Sequence, residues 1–362
     1  MYLSIFMQAI FVAWFYNGNM MRLDPTLQRN LRLPAIAAPM FLVSGPEMVI
    51  AACKTGIVGS FPTPNARTPV ILDQWMEQIT AALASDPRAA CWAANLVVHP
   101  SNDRLPVDLA CVLKYKPPLV ITALGSPARV IESVHSYGGQ IFADVNSVGF
   151  ARKAAAAGVD GLVLVASGAG GHTGATAGFA FVEEVRQFWD GPIVLGGAIS
   201  TGQAIRAAEV LGADLAYLGT ALIACDESFA VPAYKEMLVM AGAEDIVPSK
   251  GITGVTANWL KPSLIAAGYD PANMPGISIF PPLVVRMLRV GENTGALDVA
   301  LNNVSYFYNR DVQESVARLK EHIQPALTVV LGVLVITIFA TVFSPLYDVI
   351  STVTQTVRGP GR

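Results

Sequence analysis

The chain of 362 residues is long enough for one large barrel or two average domains, and 53% of its residues are hydrophobic while 14% are charged. The formal net charge of −3 and the pI near 5.8 exclude a basic surface for nucleic acid. The four cysteines have no metal-ligand spacing, so we interpret them as reduced residues of a cytosolic domain and expect no metal site.

The first segment of the chain is an apolar stretch. Residues 2–16 carry no charge, but this run is shorter than a typical membrane span. It also lacks a basic start and a small-residue cleavage site, which a signal peptide would have. We therefore interpret residues 1–30 as an apolar N-terminal extension.

From Pro34 onward, a short apolar run, a glycine-rich or polar turn and an alanine-rich stretch repeat eight times. Continuous apolar runs of this length are typical of parallel strands that are buried on both faces. The predicted strands are Ala35–Val43, Gly56–Phe61, Trp92–Val98, Leu119–Leu124, Gln140–Val145, Gly161–Ala166, Pro192–Gly197 and Ala216–Ile223. Eight alternations favour an α/β fold, a (β/α)8 TIM barrel at residues 31–228, with an open doubly wound sheet as the alternative.

The barrel rhythm stops after Ala224. The segments Ala230–Gly242 and Leu260–Gly268 have helical composition. They predict a small helical lobe appended to the barrel at residues 229–275.

A change of character follows at Asn273–Ser278, where proline and glycine interrupt the pattern. From Phe280 the pattern is helical, and residues 325–350 carry no charge until Asp348. Because about 20 apolar residues can span a bilayer, the sequence predicts a helical C-terminal tail at residues 276–362 that contains one transmembrane helix.

Three predicted loops at the C-terminal end of the barrel are rich in glycine: SGAGGHTG, GGAISTG and the LGTAL segment. Glycines let backbone N–H groups approach an anion closely, and barrels commonly bind phosphate after strands seven and eight. An alternative is that the glycines only form tight turns. The candidate phosphate cradle consists of Gly196, Gly197, Ala198, Gly219 and Thr220.

His172 is the candidate catalytic residue. It is the only ionisable side chain between Asp160 and Glu183, and an imidazole is well suited to proton transfer at neutral pH. The alternative is a histidine that only caps its own loop.

Two polar residues interrupt otherwise apolar strands. Asn95 in WAANL and Asp144 in FADV need partners if they are buried. A ligand with amide-like edges, such as an isoalloxazine ring, would suit Asn95, although a core hydrogen bond would satisfy it too. For Asp144, a structural pairing is as plausible as a functional one.

A family resemblance rests on APMFLVSGPE, GSFPTPNART, WAANL, SGAGGHTG, GPIVLGGAIS and ADLAYLGTALIA, which occur in order across about residues 30–270. The chain resembles the nitronate monooxygenase family, formerly called 2-nitropropane dioxygenases. The resemblance implies a TIM barrel that holds FMN non-covalently and oxidises alkyl nitronates with O2. It implies that His172 is the base for neutral nitroalkanes. It also implies that FMN contacts Pro39, Met40, Asn95, Gly170, Gly171 and the phosphate cradle.

The tail resembles a second, unrelated family. The motifs FPPLVVRMLRVGENTGALDVAL, YFYNRDV and SPLYDVI resemble the C-terminal end of the inner-membrane platform protein of type II secretion and type IV pilus systems. This likeness covers about residues 279–350. It suggests a gene fusion or an assembly artefact, and the alternative is a generic membrane anchor.

The leading hypothesis is an FMN-dependent oxidoreductase whose partners are a small nitronate or nitroalkane and O2. Flavin-dependent NAD(P)H:quinone reductases and enoyl reductases share the barrel, so these activities are the enzymatic alternative. The alternative of another class is a membrane component of a secretion platform that carries the barrel as a passenger. We expect the barrel in the bacterial cytoplasm, with residues 325–350 as an inner-membrane anchor.

Overall fold

The structure, a computed structural model, describes residues 22–252 and 254–274 together with Ile350. The chain divides into two compact units, Met1–Arg286 and Met287–Arg362. The predictions for residues 1–21, and those for the tail including the transmembrane helix at 325–350, lie outside the described residues except at Ile350. Within the described part of the chain, no helix is both long and apolar enough to cross a membrane.

The first unit is built around a barrel of parallel strands. In chain order the strands are β1 (Ala35–Ala37), β2 (Gly59–Pro62), β3 (Trp92–Val97), β4 (Leu119–Ala123), β5 (Gln140–Val145), β6 (Gly161–Val165), β7 (Gly171–His172), β8 (Ile193–Gly196) and β9 (Leu215–Leu218). All except β7 form one sheet in the order β1-β9-β8-β6-β5-β4-β3-β2. A parallel bridge between Ile36 and Val58 connects the two ends of this sheet. The predicted TIM-barrel architecture is therefore confirmed for this part of the chain.

Helices follow most of the strands. They are α1 (Pro25–Gln28), α2 (Pro46–Thr55), α3 (Pro69–Ala84), α4 (Leu105–Tyr115), α5 (Ile131–His135), α6 (Val148–Ala156), α7 (Gly178–Arg186), α8 (Gly202–Leu211) and α9 (Thr220–Ile223). Several begin at residues that cap a helix: the side chains of Thr68, Ser147 and Thr201 each accept a hydrogen bond from a backbone N–H of the first turn.

Two apolar layers explain why the strands read as continuous apolar runs. Side chains of alternating strand residues, including Phe142, Val163 and Leu215, fill the inside of the barrel. The intervening residues, such as Leu162 and Leu164, pack outward in a second cluster that includes helix residues. Both faces of each strand are buried, as parallel barrel strands require.

Two predicted strands extend several residues beyond the C-terminal ends of the observed ones. The run Ala216–Ile223 contains the last three residues of β9 and then α9, because the strand ends before Gly219. The run Ala35–Val43 ends as a strand at Ala37. Pro39 follows shortly after, and its missing N–H disfavours continuation of a strand in the middle of a sheet.

The appended lobe contains more than the two predicted helices. Those helices are present as α10 (Pro232–Met240) and α11 (Lys261–Ala266). Between them lies an antiparallel hairpin of β10 (Ile246–Ser249) and β11 (Ala257–Leu260). β11 also pairs with β7, so the lobe forms a three-stranded sheet with the His172 loop. The two predicted helices are therefore present, and the hairpin between them is an element that the prediction of a helical lobe missed.

Candidate active site

The loops after β6 and β8 meet at the C-terminal mouth of the barrel. The N–H of Ala198 donates to the carbonyl oxygen of Gly168 at 3.1 Å. Gly197 has φ +135° and Ala198 has φ +56°. A Cβ atom on Gly197 would lie 2.9 Å from the Ser167 carbonyl oxygen, so the turn requires glycine there.

The loops after β1 and β9 border the same mouth. The N–H of Ala38 donates to the carbonyl oxygen of Leu218 at 2.9 Å. A Cβ atom on Gly219 would lie 3.7 Å from the Met40 sulfur. A Cβ atom on Gly170 would meet the Thr220 hydroxyl, so the His172 loop touches the β9 loop as well. The fold thus brings together most of the predicted cofactor residues.

These loops are electrostatically suited to an anion. The segments Ser167–Gly174, Gly196–Gly202 and Leu218–Leu222 contain no carboxylate and no cationic side chain apart from a protonated His172. Backbone dipoles and hydroxyl groups are therefore the groups that an anion would meet there. A phosphorylated ligand fits this composition.

Individual members of the predicted cradle differ in their surroundings. Gly196 is buried, and a Cβ atom on it would lie 3.2 Å from the Cβ of Tyr217. It therefore makes room for the tyrosine. The N–H of Ala198 is already bonded to Gly168, whereas Gly197, Gly219 and Thr220 lie at least partly exposed at the mouth.

His172 forms part of the two-residue strand β7. Its backbone pairs with Ala257 of β11, and the following residue, Thr173, donates its N–H to the carbonyl oxygen of Thr256 at 3.1 Å. The Thr173 hydroxyl donates to the Ala166 carbonyl oxygen at 3.1 Å on the barrel side. His172 itself is exposed, which leaves it accessible to a small substrate.

Pro39 and Met40 lie in the loop after β1. The sequence did not predict which residues hold this loop in place. The buried side chain of Asn65 accepts from the Leu42 N–H at 2.9 Å and donates to the carbonyl oxygens of Met40 and Ser44. The Ser44 hydroxyl accepts from the Met40 N–H at 3.0 Å. Asn65 belongs to the GSFPTPNART motif, and the available signal was a polar residue in the short turn that follows the buried strand β2.

Asn95 is buried within β3, two residues before the strand ends. Its Nδ2 donates to the Ile121 carbonyl oxygen of β4 at 3.1 Å. This bond satisfies one hydrogen-bonding group of the Asn95 amide within the core, which agrees with the alternative of a core hydrogen bond. Among the described contacts, none joins Asn95 to the four loops of the mouth.

Asp144 and Tyr217 form a polar pair in the barrel: both residues are half-buried, and Asp144 Oδ1 and the Tyr217 hydroxyl oxygen are buried. Tyr217 is two residues beyond Leu215 on β9, and Asp144 is two beyond Phe142 on β5, so both continue the inward-facing rows. They influence each other's proton affinity, but neither Asp144 Oδ1 nor the Tyr217 hydroxyl has hydrogen-bond geometry with any described group.

Burial dominates the electrostatics of this pair. It raises the pKa of Asp144 to about 7, although the Tyr217 hydroxyl partly opposes this increase. Burial and the nearby Asp144 also raise the pKa of Tyr217 well above its usual value. A buried, incompletely satisfied acid beneath the mouth can donate or accept a hydrogen bond from a ligand there.

Comparison with known proteins gives two separate matches along the chain. The model of the family described as nitronate monooxygenase matches residues 88–275. The model described as type II secretion system protein F matches residues 260–345. The second match confirms the resemblance of the tail motifs.

The tail relative shares only part of its length with this chain. A type IV pilus assembly protein PilC of Thermus thermophilus is 37% identical over 125 residues, which are 32% of this chain. The chain spans only 31% of that relative.

The barrel relatives are covered far more completely. A nitronate monooxygenase of Pseudomonas aeruginosa is 30% identical over 300 residues, covering 70% of this chain and 82% of the relative. A nitroalkane oxidase structure from Streptomyces ansochromogenes superposes with a TM-score of 0.63 at 23% identity, covering 75% of this chain and 88% of that one. Because the family model matches more than half of the 362 residues, the chain belongs to the nitronate monooxygenase family.

Proposed function

We propose that the chain is an FMN-dependent oxidoreductase that oxidises alkyl nitronates with O2, and neutral nitroalkanes after removal of their α-proton. The observation that carries this proposal is the meeting of the exposed His172 loop with carboxylate-free glycine loops at one barrel mouth. Family membership and the nitronate monooxygenase relatives support it.

The residues at the mouth would hold FMN in two zones. Gly197, Gly219 and Thr220 would surround the phosphate, with Gly170 beside them. On the side of β1, Pro39 and Met40 would lie against the flavin ring. When bound, FMN supplies the electron acceptance from substrate and the reaction with O2.

The protein's own contribution is proton transfer and orientation. A neutral imidazole at His172 can take the proton from the carbon that bears the nitro group, and the resulting imidazolium can stabilise the nitronate oxygens. Asn65 and Ser44 hold the Met40 loop by hydrogen bonds, so this loop keeps its shape. Asp144 lies deeper in the barrel, where burial raises its pKa to about 7, so its carboxyl group can be protonated near neutral pH.

The substitution His172→Ala tests the role of the imidazole. We expect activity on a neutral nitroalkane to fall by about 10²–10⁴-fold, the usual contribution of a positioned acid–base group. Activity on the already ionised nitronate should fall much less, because no proton has to be removed. Steady-state oxygen consumption with both forms of one substrate measures this ratio.

His135→Ala is the matched control, because that histidine lies on α5 and its Nε2 pairs with Asp160 at 2.8 Å. It should leave the ratio of the two activities unchanged. Equal losses on both substrates in His172→Ala would mean that His172 positions the ligand and does not take the proton.

A reductase activity is the enzymatic alternative, since quinone and enoyl reductases share this barrel. The discriminating reductant is NAD(P)H. Rapid flavin reduction by NADH together with slow reduction by nitronate would favour the alternative.

We further propose that the tail at residues 276–362 anchors the barrel to the bacterial inner membrane through residues 325–350. The match of residues 260–345 to a secretion-system protein supports this placement. The barrel would then lie on the cytoplasmic side of that membrane. The alternative to an enzymatic function is that the chain is a membrane component of a secretion platform.

A further inference from the structure

The His172 loop is rich in glycine, so its own sequence does not favour a single backbone conformation. Ser167–Gly174 contains four glycines, and Gly168 and Gly171 have φ values of +89° and +68°. Glycine loses more backbone freedom on ordering than any other residue. A catalytic histidine in such a loop therefore needs restraints from outside it.

The appended hairpin provides these restraints on both sides of His172. Downstream, the Thr173 N–H donates to the Thr256 carbonyl oxygen, and His172 pairs with Ala257. Upstream, the Asn258 Nδ2 donates to the Ala169 carbonyl oxygen at 2.8 Å, across 89 residues of sequence. The backbone pairing of β11 with β7 ends at Asn258 and Gly171. The side-chain hydrogen bond of Asn258 therefore adds a contact two residues further upstream, at Ala169.

We propose that Asn258 is a positioning residue for His172: its side-chain amide fixes the glycine-rich segment before the histidine, and so sets the place of the imidazole at the mouth. This inference rests on the proposed role of His172 as the base. It assigns the lobe a part in catalysis, since the barrel alone leaves the upstream half of the loop without this bond.

Two substitutions remove the amide donor. Asn258→Ala deletes the side chain, and Asn258→Asp keeps its shape but places a carboxylate oxygen against the Ala169 carbonyl oxygen. One hydrogen bond contributes about 1 kcal/mol, so we expect activity on the neutral nitroalkane to fall by about fivefold to tenfold. Activity on the nitronate should change little, because it does not depend on where the base sits.

The matched control is Trp259→Phe on the same strand. The Trp259 Nε1 donates to the Ser249 carbonyl oxygen within the hairpin at 3.3 Å. Loss of this bond perturbs the hairpin but not the loop contact, so the ratio of the two activities should stay at the parent value.

Hydrogen exchange measured by mass spectrometry is the readout that does not depend on the reaction. Residues 167–173 should exchange faster in both Asn258 variants than in the parent and in Trp259→Phe. Unchanged exchange there, or equal losses on nitroalkane and nitronate, would overturn the inference. If His172→Ala shows no preference for one substrate while the loop exchange still rises, the proposed base is wrong and Asn258 only orders the loop.

Discussion

At the residue scale, the polar pair in the barrel shows what sequence spacing can and cannot reveal. Asp144 was recognisable as a polar residue within an apolar strand, but its surroundings were not. Its neighbour Tyr217 lies on β9, and β6 and β8 separate that strand from β5. Barrel closure brings the two residues together, and no local pattern in the sequence records that proximity.

Asp144 predicts a particular dependence of stability on pH. Its pKa rises from 3.8 to about 7 on burial, so between these values the folded state binds more protons than the unfolded state. The free energy of unfolding therefore falls as pH rises through this range, and then levels off. Asp144→Asn removes the buried charge, and its advantage over the parent should approach about 4 kcal/mol at most at pH 8.

Denaturant unfolding of both proteins at pH 5 and pH 8 measures this difference. We expect the variant to be more stable than the parent at pH 8, and the gap to narrow at pH 5, where the Asp144 carboxyl is largely protonated. A gap that is independent of pH would show that Asp144 does not titrate in this range.

Asn65 is a second residue whose role needed the structure. Its three hydrogen bonds reach across the loop that contains Met40, up to 25 residues away in sequence. The sequence offered a conspicuous motif around Asn65. It did not say which loop the amide would hold.

At the element scale, the strands of the barrel were predictable because burial on both faces makes each one a continuous apolar run. β7 was not predictable, because a strand of two residues has no periodicity and depends on its partner β11. The hairpin is also poorly marked, since Pro248 interrupts β10. Non-local pairing therefore built the part of the site that sequence patterns missed.

The loop between β9 and α9 provides a test of the phosphate cradle. Gly219 has φ −108°, and a Cβ atom on it would meet nothing closer than the Met40 sulfur at 3.7 Å. Gly219→Val should therefore fold, but its side chain would occupy the surface that approaches the phosphate. We expect the purified variant to lose most of its FMN, as measured by absorbance and by titration with free FMN.

Gly149→Val is the matched control on the outer helix α6, where an added Cβ atom meets nothing within 4 Å. It should keep a parent-like FMN content. Stoichiometric FMN in Gly219→Val would mean that the cradle lies elsewhere on the barrel.

At the scale of the whole molecule, the two family matches divide the chain and overlap only at residues 260–275. A change of composition near residue 276 made this division predictable. An uncharged run as long as 325–347 would expose a large apolar surface if it were left in water. We therefore expect the full chain to sediment with membranes, whereas a chain ending at Met274 should remain in the supernatant after ultracentrifugation.

A full chain that stays in the supernatant without detergent would contradict the membrane anchor. The shorter chain should retain the barrel, because the described strands all end by Leu260. Circular dichroism and FMN titration of the shorter chain check that retention.

The central claim is that this barrel carries FMN and passes electrons to it from a nitronate. The most direct measurement is the absorbance spectrum of the purified full chain, reconstituted with FMN and mixed under anaerobic conditions with an alkyl nitronate or, separately, with NADH. We predict a bound flavin spectrum that the nitronate bleaches rapidly and that O2 restores. A protein that binds no FMN, or a bound flavin that only NADH reduces, would contradict the account.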